Sequence, residues 1–102
     1  MVFNERYSFH TIMASMEFEF DPAKSAANKA KHGIDFEEAQ ESWKDPDRAL
    51  APALTGPEPR FVAIGKIGDK VWTAVFTWRG DRARIISVRR ARKNEVERYE
   101  EG

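Results

Sequence analysis

The sequence predicts a single α+β domain in the order strand, helix, helix, three-stranded antiparallel meander, helix. Three observations lead to this prediction. Residues near position 18 alternate between aromatic and acidic, two segments between residues 21 and 46 carry helix start and stop signals, and three β-rich segments between residues 60 and 88 are separated by Gly-Asp turns. A chain of 102 residues has the length of one domain, so no linker is expected.

The first strand and the first helix follow one another directly. Residues 16–20 alternate phenylalanine with glutamate, which is the period of a half-buried strand. Asp21 is a suitable N-cap and Pro22 a suitable first helical residue, and Gly33 favours the left-handed conformation that ends a helix, here around His32. Alanines spaced along one helical face predict close packing of that face on the sheet or on another helix. These alanines are Ala23, Ala26, Ala27 and Ala30.

A second helix is predicted to begin at Asp35. Glu38 lies three residues later and makes an acidic variant of the capping box, in which the two residues exchange side-chain to backbone hydrogen bonds. The helix should stop at Asp45-Pro46, because the residue before a proline avoids the helical region. Its apolar face consists of Phe36, Ala39 and Trp43.

The second half of the chain is predicted to form β-structure closed by a helix. Residues 47–59 are rich in proline, which predicts a loop with a short edge segment near Leu50. A short helix over residues 94–101 would place Val96 and Tyr99 on one face. The predicted strands, rich in Val, Ile, Phe, Trp and Thr, cover residues 60–65, 71–78 and 82–88.

Residues 1–15 are predicted to be an extension outside the domain, which then spans residues 16–102. The extension lacks the apolar run of a secretion signal and is too short and polar to span a membrane. The chain contains no cysteine, which excludes disulfides, thiolate zinc sites and cysteine nucleophiles and agrees with a reducing compartment. We therefore expect a cytoplasmic protein with no membrane contact.

The charges balance in total but not along the chain. Seventeen basic and seventeen acidic residues cancel, whereas residues 35–47 carry six acidic side chains and one lysine, and residues 79–93 carry seven basic side chains and one aspartate. The basic block is suited to binding phosphates, and it is equally suited to docking on the acidic block of the same chain.

The last predicted strand is the richest in arginine. A basic side chain on a half-buried strand costs free energy unless it meets an anion. Either Arg84 pairs with an acidic residue of the helices, or the surface holds an RNA or DNA backbone, with Trp72, Trp78 or Tyr99 available for base stacking. Strict alternation would put Arg82, Arg84, Ile86 and Val88 on one face and Ala83, Ile85, Ser87 and Arg89 on the other.

No metal and no cofactor are expected. The sequence has no glycine-rich phosphate loop and no serine elbow, and its only histidines are His10 and His32. Two isolated histidines do not have the spacing of a histidine-based metal site.

Three segments taken together resemble one known family. They are FEFDPAKSAANKAKHGIDFEEA, RFVAIG and RIISVRRARKNEVERYEE, and the similarity runs from Met16 to the end of the chain. They are similar to the BrnT toxins of bacterial type II toxin-antitoxin modules. The resemblance implies a compact RelE-like fold, ribonuclease activity that halts translation in the bacterial cytoplasm, and neutralisation by a BrnA-type antitoxin. That antitoxin is of the ribbon-helix-helix class, and promoter DNA would be bound only through the complex.

The family pattern falls on identifiable positions of this sequence, with two departures. The segment before Arg60 is rich in proline, and Val88 stands where the family usually has a small residue. The matching positions are Asp21, Pro22, Lys31, His32, Gly33, Phe36, Glu37, Arg60, Arg84, Ser87, Arg89, Ala91, Tyr99 and Glu100.

RNA cleavage without a metal requires a base, an acid and cations that stabilise charge on the phosphorane, and residues of the chain can be assigned to these tasks. Histidine titrates near neutrality, so His32 is the predicted proton carrier, as base or as acid. A guanidinium can hold two phosphate oxygens at once. The predicted phosphate and transition-state contacts are Arg60, Arg84 and Arg89. The predicted RNA-binding residues are Lys31, Arg82, Arg90, Arg92 and Lys93.

Structural interpretations stand beside these functional ones. His32 also fits a residue that ends the first helix by bonding its last carbonyls, and Tyr99 fits either an acid or base or a residue that packs the last helix on the sheet. For the whole protein, the alternatives to an endoribonuclease are a noncatalytic nucleic-acid-binding module and a protein-interaction module whose basic sheet face receives an acidic partner.

Overall fold

The computed structural model describes residues 17–53 and 57–101. The predictions made for residues 1–15, for Met16 and for the loop at 54–56 lie outside the described residues. Among the described residues, no helix has the length and apolar character needed to cross a membrane. In chain order the elements are β1 (Phe18–Glu19), α1 (Pro22–His32), a 3₁₀ helix (Glu38–Lys44), β2 (Ala49–Ala53), β3 (Arg60–Ile67), β4 (Lys70–Arg79), β5 (Arg82–Arg90) and α2 (Lys93–Glu101).

The α+β class is confirmed, and the strands form one mixed sheet in the order β1-β5-β4-β3-β2. The predicted meander of β3, β4 and β5 is confirmed as antiparallel, and the segment near Leu50 extends it as the edge strand β2. Pro52 is tolerated there because an edge strand has a side on which no backbone donor is needed. At the other edge, β1 pairs with β5 in parallel, a crossover that the sequence pattern did not indicate.

Helix α1 has the predicted ends but not the predicted packing. Asp21 caps it, with Oδ1 accepting from the Ala23 amide at 2.9 Å, and Gly33 ends it with φ of 81°. The expectation that the alanine stripe packs within the domain is wrong, since all four alanines are exposed. The buried side is polar instead and consists of Ser25 and Asn28, because hydrogen bonds rather than apolar contacts attach this helix.

Asn28 completes the edge of the sheet beside β5. Its Nδ2 donates to the carbonyl oxygens of Val88 at 2.9 Å and Ile34 at 2.8 Å, and its Oδ1 accepts from the Val88 amide at 3.2 Å. Since β1 has only two residues and pairs with Ala83 and Arg84, no strand among the described residues pairs with Val88 on that side of β5. The carboxamide therefore takes the place of a missing backbone partner.

The second predicted helix is a 3₁₀ helix that covers the core face of the sheet. The predicted capping box is confirmed: the Glu38 amide donates to Asp35 Oδ1 at 2.7 Å, and the Asp35 amide donates to Glu38 Oε1 at 2.9 Å. Gly65 allows the helix to approach β3, because a Cβ at that position would lie 2.5 Å from the Ser42 carbonyl oxygen. The predicted apolar face is buried and consists of Phe36, Ala39 and Trp43.

A β-bulge in β5 decides which side chains share a face. Val75 pairs with Ser87 and Phe76 pairs with Ile85, so Ile86 is an extra residue without a partner of its own. The predicted strict alternation is therefore wrong beyond Ile86. The core face receives Ala83, Ile85 and Val88, all fully buried, and the opposite face receives Arg82, Arg84, Ser87 and Arg89.

Candidate nucleic-acid interface

Three of the predicted site residues lie on the sheet face opposite the core, which we call the arginine face and define by Arg60, Arg84 and Arg89. Arg84 lies opposite Thr77 of β4, and Arg89 lies opposite Thr73. The same antiparallel register, in which Phe61 faces Phe76, brings Arg60 to the other side of Thr77. The floor between the three arginines is formed by Val62, Val75 and Ser87.

All three arginines have a carboxylate neighbour, whereas internal pairing was considered from the sequence for Arg84 alone. Arg84 Nη1 lies 2.9 Å from Glu19 of β1, which corrects the prediction of a carboxylate from the helices. Docking of the basic block on the acidic block at residues 35–47, one of the alternatives left open by the sequence, is not observed among the ion pairs of the described residues. The other pairs on this face are Arg82 with Glu17 at 3.1 Å, Arg60 with Glu58 at 3.6 Å and Arg89 with Glu95 at 2.7 Å.

Arg60 is the least neutralised of the three arginines. Its distance of 3.6 Å from Glu58 is too long for a strong charge-assisted hydrogen bond. Its Nε is buried and has no hydrogen-bond partner among the described residues. A buried guanidinium donor without an acceptor costs free energy, which an arriving anion would recover.

Arg89 is held by a carboxylate from α2. Its Nη1 and Nη2 donate to the two oxygens of Glu95 at 2.7 and 2.8 Å, and Glu95 Oε1 also accepts from Thr73 Oγ1 at 3.0 Å and from the Arg92 amide at 2.8 Å. Arg89 contributes most to lowering the pKa of Glu95 to about 2, against its ordinary value of 4.5. Glu95 was not among the residues predicted from the sequence, although its position three residues after Arg92 is that of a capping residue at a helix start.

The lowered pKa of Glu95 predicts a loss of stability in acid. Because the pKa in the folded protein lies below the unfolded value, the stabilisation is fully present above pH 4.5 and is lost as pH falls towards 2. We expect urea unfolding to show a contribution on the order of 2 kcal/mol that disappears over this window. In Glu95→Gln the acid-induced loss should be smaller by that amount, while Glu97→Gln should behave as the unsubstituted protein. An equal loss in all three proteins would contradict the assignment.

Tyr99 attaches α2 to the rest of the domain, one of the two roles that the sequence left open for it. Its hydroxyl donates to Asp45 Oδ2 at 2.6 Å, which ties α2 to the turn after the 3₁₀ helix. This hydrogen bond, with a smaller effect of burial, raises the pKa of Tyr99 to about 12. A phenolate at neutral pH is therefore disfavoured, and the geometry supports the packing interpretation over the acid-base one.

His32 is the predicted proton carrier, and it ends helix α1. Because α1 follows β1 and is bound at Asn28 to Val88, its last turn lies toward the carboxyl end of β5. His32 is half-buried there, and no described contact joins its imidazole to the arginine face. The convergence of His32 with the arginines remains a prediction.

Four of the predicted RNA-binding cations have no carboxylate partner among the described residues; three lie at or just after the carboxyl end of β5 and one lies in the last turn of α1. Arg90 differs from the other three because it makes a cation-π contact: its guanidinium carbon lies 5.6 Å from the centre of the Trp72 ring. Within the described residues none of these side chains forms an ion pair: Lys31, Arg90, Arg92 and Lys93.

The three aromatic residues considered for base stacking do not lie beside the arginine face. Trp72 is covered by Arg90, and Tyr99 is engaged with Asp45. Trp78 is 40% exposed, but it lies on the core side of the sheet, where its ring makes an edge contact with Phe76 at 5.4 Å. None of the three faces the floor between the arginines.

A cleft of about 300 Å³ lies between α2 and strands β2, β3 and β4. Its sheet side is aliphatic and its α2 side is polar, so it offers both apolar contact and hydrogen-bonding groups. It opens beside Arg89 on the arginine face. The lining residues are Ala51, Pro52, Ala53, Val62, Ile64, Val75, Arg89, Asn94, Glu95 and Arg98.

The sequence profile of a family described as "Ribonuclease toxin, BrnT, of type II toxin-antitoxin system" matches residues 20–95. No curated protein matches the chain.

Among the described residues, no group of three or more histidine, aspartate or glutamate side chains is arranged to hold a metal ion.

Proposed function

Because the chain belongs to the BrnT family of ribonuclease toxins of type II toxin-antitoxin systems, we propose that it is a metal-independent endoribonuclease held inactive by a BrnA-type antitoxin. The observation that supports an RNA site on the arginine face is the bulge at Ile86. It brings Arg84 and Arg89 to one face of the sheet, where a regular strand would separate them. Arg60 joins them from β3.

Arg60 and Arg84 are spaced to bind one phosphate of an RNA backbone together. Arg60 and Arg84 flank Thr77 on adjacent strands, so their Cα atoms lie about 10 Å apart, given the usual spacing between neighbouring strands. Two side chains of this length can reach one phosphate above Thr77 from opposite sides, and guanidinium groups bind phosphate oxygens in pairs. Arg60 would provide the less neutralised of the two groups.

We assign proton transfer to His32, as the sequence motif suggests. The cations without carboxylate partners among the described residues are Lys31, next to His32 at the end of α1, and Arg90, Arg92 and Lys93, at and after the end of β5. Their charges would attract RNA to the ends of these two elements. The path from Arg89 past Arg90 to His32 would carry the backbone around the end of β5. RNA is flexible enough when single-stranded to follow such a turn, and its phosphates supply the charge.

Cleavage of RNA by the purified protein in the presence of a chelator tests the proposal. Arg60→Ala and Arg84→Ala should each lower the cleavage rate by about 10²–10³-fold, the effect of removing one transition-state donor. Arg60→Lys should recover only part of the rate, because it keeps the charge but not the paired donors. His32→Ala should lower the rate with little change in RNA affinity.

Lys24→Ala is the matched control and should cleave normally, since Lys24 is an exposed cation of α1 with no described hydrogen bond or ion pair to the arginine face. Intact RNA at high protein concentration, or cleavage only after addition of a divalent cation, would overturn the proposal. Growth arrest on expression, relieved by coexpression of an adjacent antitoxin gene, would support the toxin role.

A protein-interaction role is the second candidate, favoured by one observation. Every arginine of the arginine face has a carboxylate as its nearest anion, so the face already accepts glutamate side chains. An acidic segment of a partner could replace those glutamates by the same contacts. This role predicts a stable complex whose formation depends on Arg84. It also predicts that the protein separated from its partner leaves RNA intact.

A further inference from the structure

The carboxylate of Glu95 lies in a site formed by four donors from three parts of the chain. Two are the Nη groups of Arg89, one is the hydroxyl of Thr73, and one is the backbone amide of Arg92, all within 3.0 Å of a Glu95 oxygen. We call this site the anion seat. Thr73 is fully buried, so its hydroxyl is held in place by the sheet.

The seat has the chemistry of a phosphate site. A paired guanidinium, a hydroxyl and a backbone amide are the groups that proteins use to bind phosphate oxygens. Glu95 Oε1 and Oε2 therefore stand in for two non-bridging oxygens of a phosphate group. Oε1 alone receives three of the four hydrogen bonds, a number suited to a strongly charged oxygen.

The element that brings Glu95 to the seat is weakly attached. Helix α2 has no buried side chain, and its described polar attachments to the sheet and the 3₁₀ turn are those of Glu95 and Tyr99. Withdrawal of Glu95 therefore pulls no buried side chain of α2 out of the protein, and the surface it would uncover on the sheet includes Ile64, which is 1% exposed and lies opposite Thr73. Local opening of such an element has a lower free-energy cost than opening of a packed strand.

The seat also opens on a space large enough for part of a nucleotide. Arg89 and Glu95 both line the cleft of about 300 Å³ between α2 and the sheet. Its aliphatic side is formed in part by Val62 and Val75, which also form the floor between the arginines. A phosphate in the seat would therefore have apolar surface beside it for the attached sugar or base.

We propose that the anion seat is a phosphate-binding site and that Glu95 is its internal occupant in the free protein, displaced when a phosphate group binds Arg89. With RNA as the ligand, this rests on the proposed function. Glu95 would then limit RNA binding by competing for Arg89, and removal of its charge would strengthen binding. Inorganic phosphate shares the recognising chemistry and allows the seat to be tested without RNA.

The first experiment measures thermal unfolding with inorganic phosphate against chloride at equal ionic strength. In Glu95→Ala, phosphate at about ten times its dissociation constant should raise the melting temperature by about 5 °C. The shift should be absent in Glu97→Ala, which removes the same charge from an exposed position of α2, and absent in Glu95→Ala combined with Arg89→Ala. If Glu95→Ala does not fold, Glu95→Gln replaces it, because glutamine preserves the size of the side chain.

The second experiment measures binding of a 2′-O-methyl RNA, which cannot be cleaved through its 2′-hydroxyl. Glu95→Gln should bind at least 10-fold more tightly than the unsubstituted protein, and Glu97→Gln less than 3-fold more tightly. Equal gains in both variants would show a general charge effect and overturn the inference, as would a phosphate shift that persists without Arg89. If phosphate binds the seat while no variant binds or cleaves RNA, the seat stands and the proposed function falls.

Discussion

Asn28→Asp is expected to lower the free energy of unfolding by about 3–5 kcal/mol, a large part of the 5–15 kcal/mol that stabilises a domain. The change keeps the size of the side chain but removes both Nδ2 donors, so the carbonyls of Val88 and Ile34 lose their partner. It also buries a negative charge beside two carbonyl oxygens. Urea unfolding at neutral pH measures the effect.

The matched control is Asn94→Asp, the same change at an exposed position of α2, for which we expect a difference within about 0.5 kcal/mol. Asn28→Asp should recover stability as pH falls and the new carboxyl becomes neutral, whereas the control should not. A loss below about 1 kcal/mol at neutral pH would mean that the carboxamide does not complete the edge of β5. Because His32 lies one helical turn beyond Asn28, variants that remain folded should also show weakened His32-dependent cleavage.

Trp43→Ala is expected to cost about 3–5 kcal/mol, the usual loss for a large buried aromatic side chain. Trp43 is 1% exposed and packs edge-on against Phe18 and Phe76, with ring centres 5.0 and 5.3 Å away. Its removal would leave a cavity between the 3₁₀ helix and the sheet, which neighbouring side chains can fill only in part. Chemical unfolding, with near-ultraviolet circular dichroism to follow aromatic packing, measures the loss.

Trp43→Phe is the informative comparison because it separates packing from polarity. The indole Nε1 is buried without a hydrogen-bond partner among the described residues, so phenylalanine removes an unsatisfied donor while losing some volume. The two effects oppose each other, and we expect a net change below about 1.5 kcal/mol. Trp78→Ala, at a partly exposed ring, should cost less than Trp43→Ala. A large loss in Trp43→Phe would show that ring size alone determines the stability.

Local signals in the sequence were sufficient for most elements. Asp21 with Pro22, the Asp35–Glu38 capping box and Gly33 each act within a few residues, so their geometry follows from the residues themselves. The antiparallel strands follow from β-rich segments separated by glycine turns at Gly68 and Gly80, both with φ of 65°.

Interactions between distant residues explain the errors. The alanine stripe looked like a packing face, but helix α1 is attached through Ser25 and Asn28, whose partners lie 11 and 60 residues away. The bulge at Ile86 has no glycine to mark it, and it reversed the predicted face of Arg89 relative to Arg84. Because the pleat has a period of two, one extra residue was enough to change which arginines could act together.

The carboxylates on the arginine face have a consequence for how RNA association depends on ionic strength. A protein with free cations releases counterions from RNA for each phosphate it neutralises, and the slope of log K against log salt counts those contacts. At the proposed RNA site, each guanidinium would give up a glutamate when it takes a phosphate, and the freed glutamate would attract a cation from solution. The net release is smaller than the number of contacts, so RNA association on this face should fall less steeply with salt than its arginine count implies.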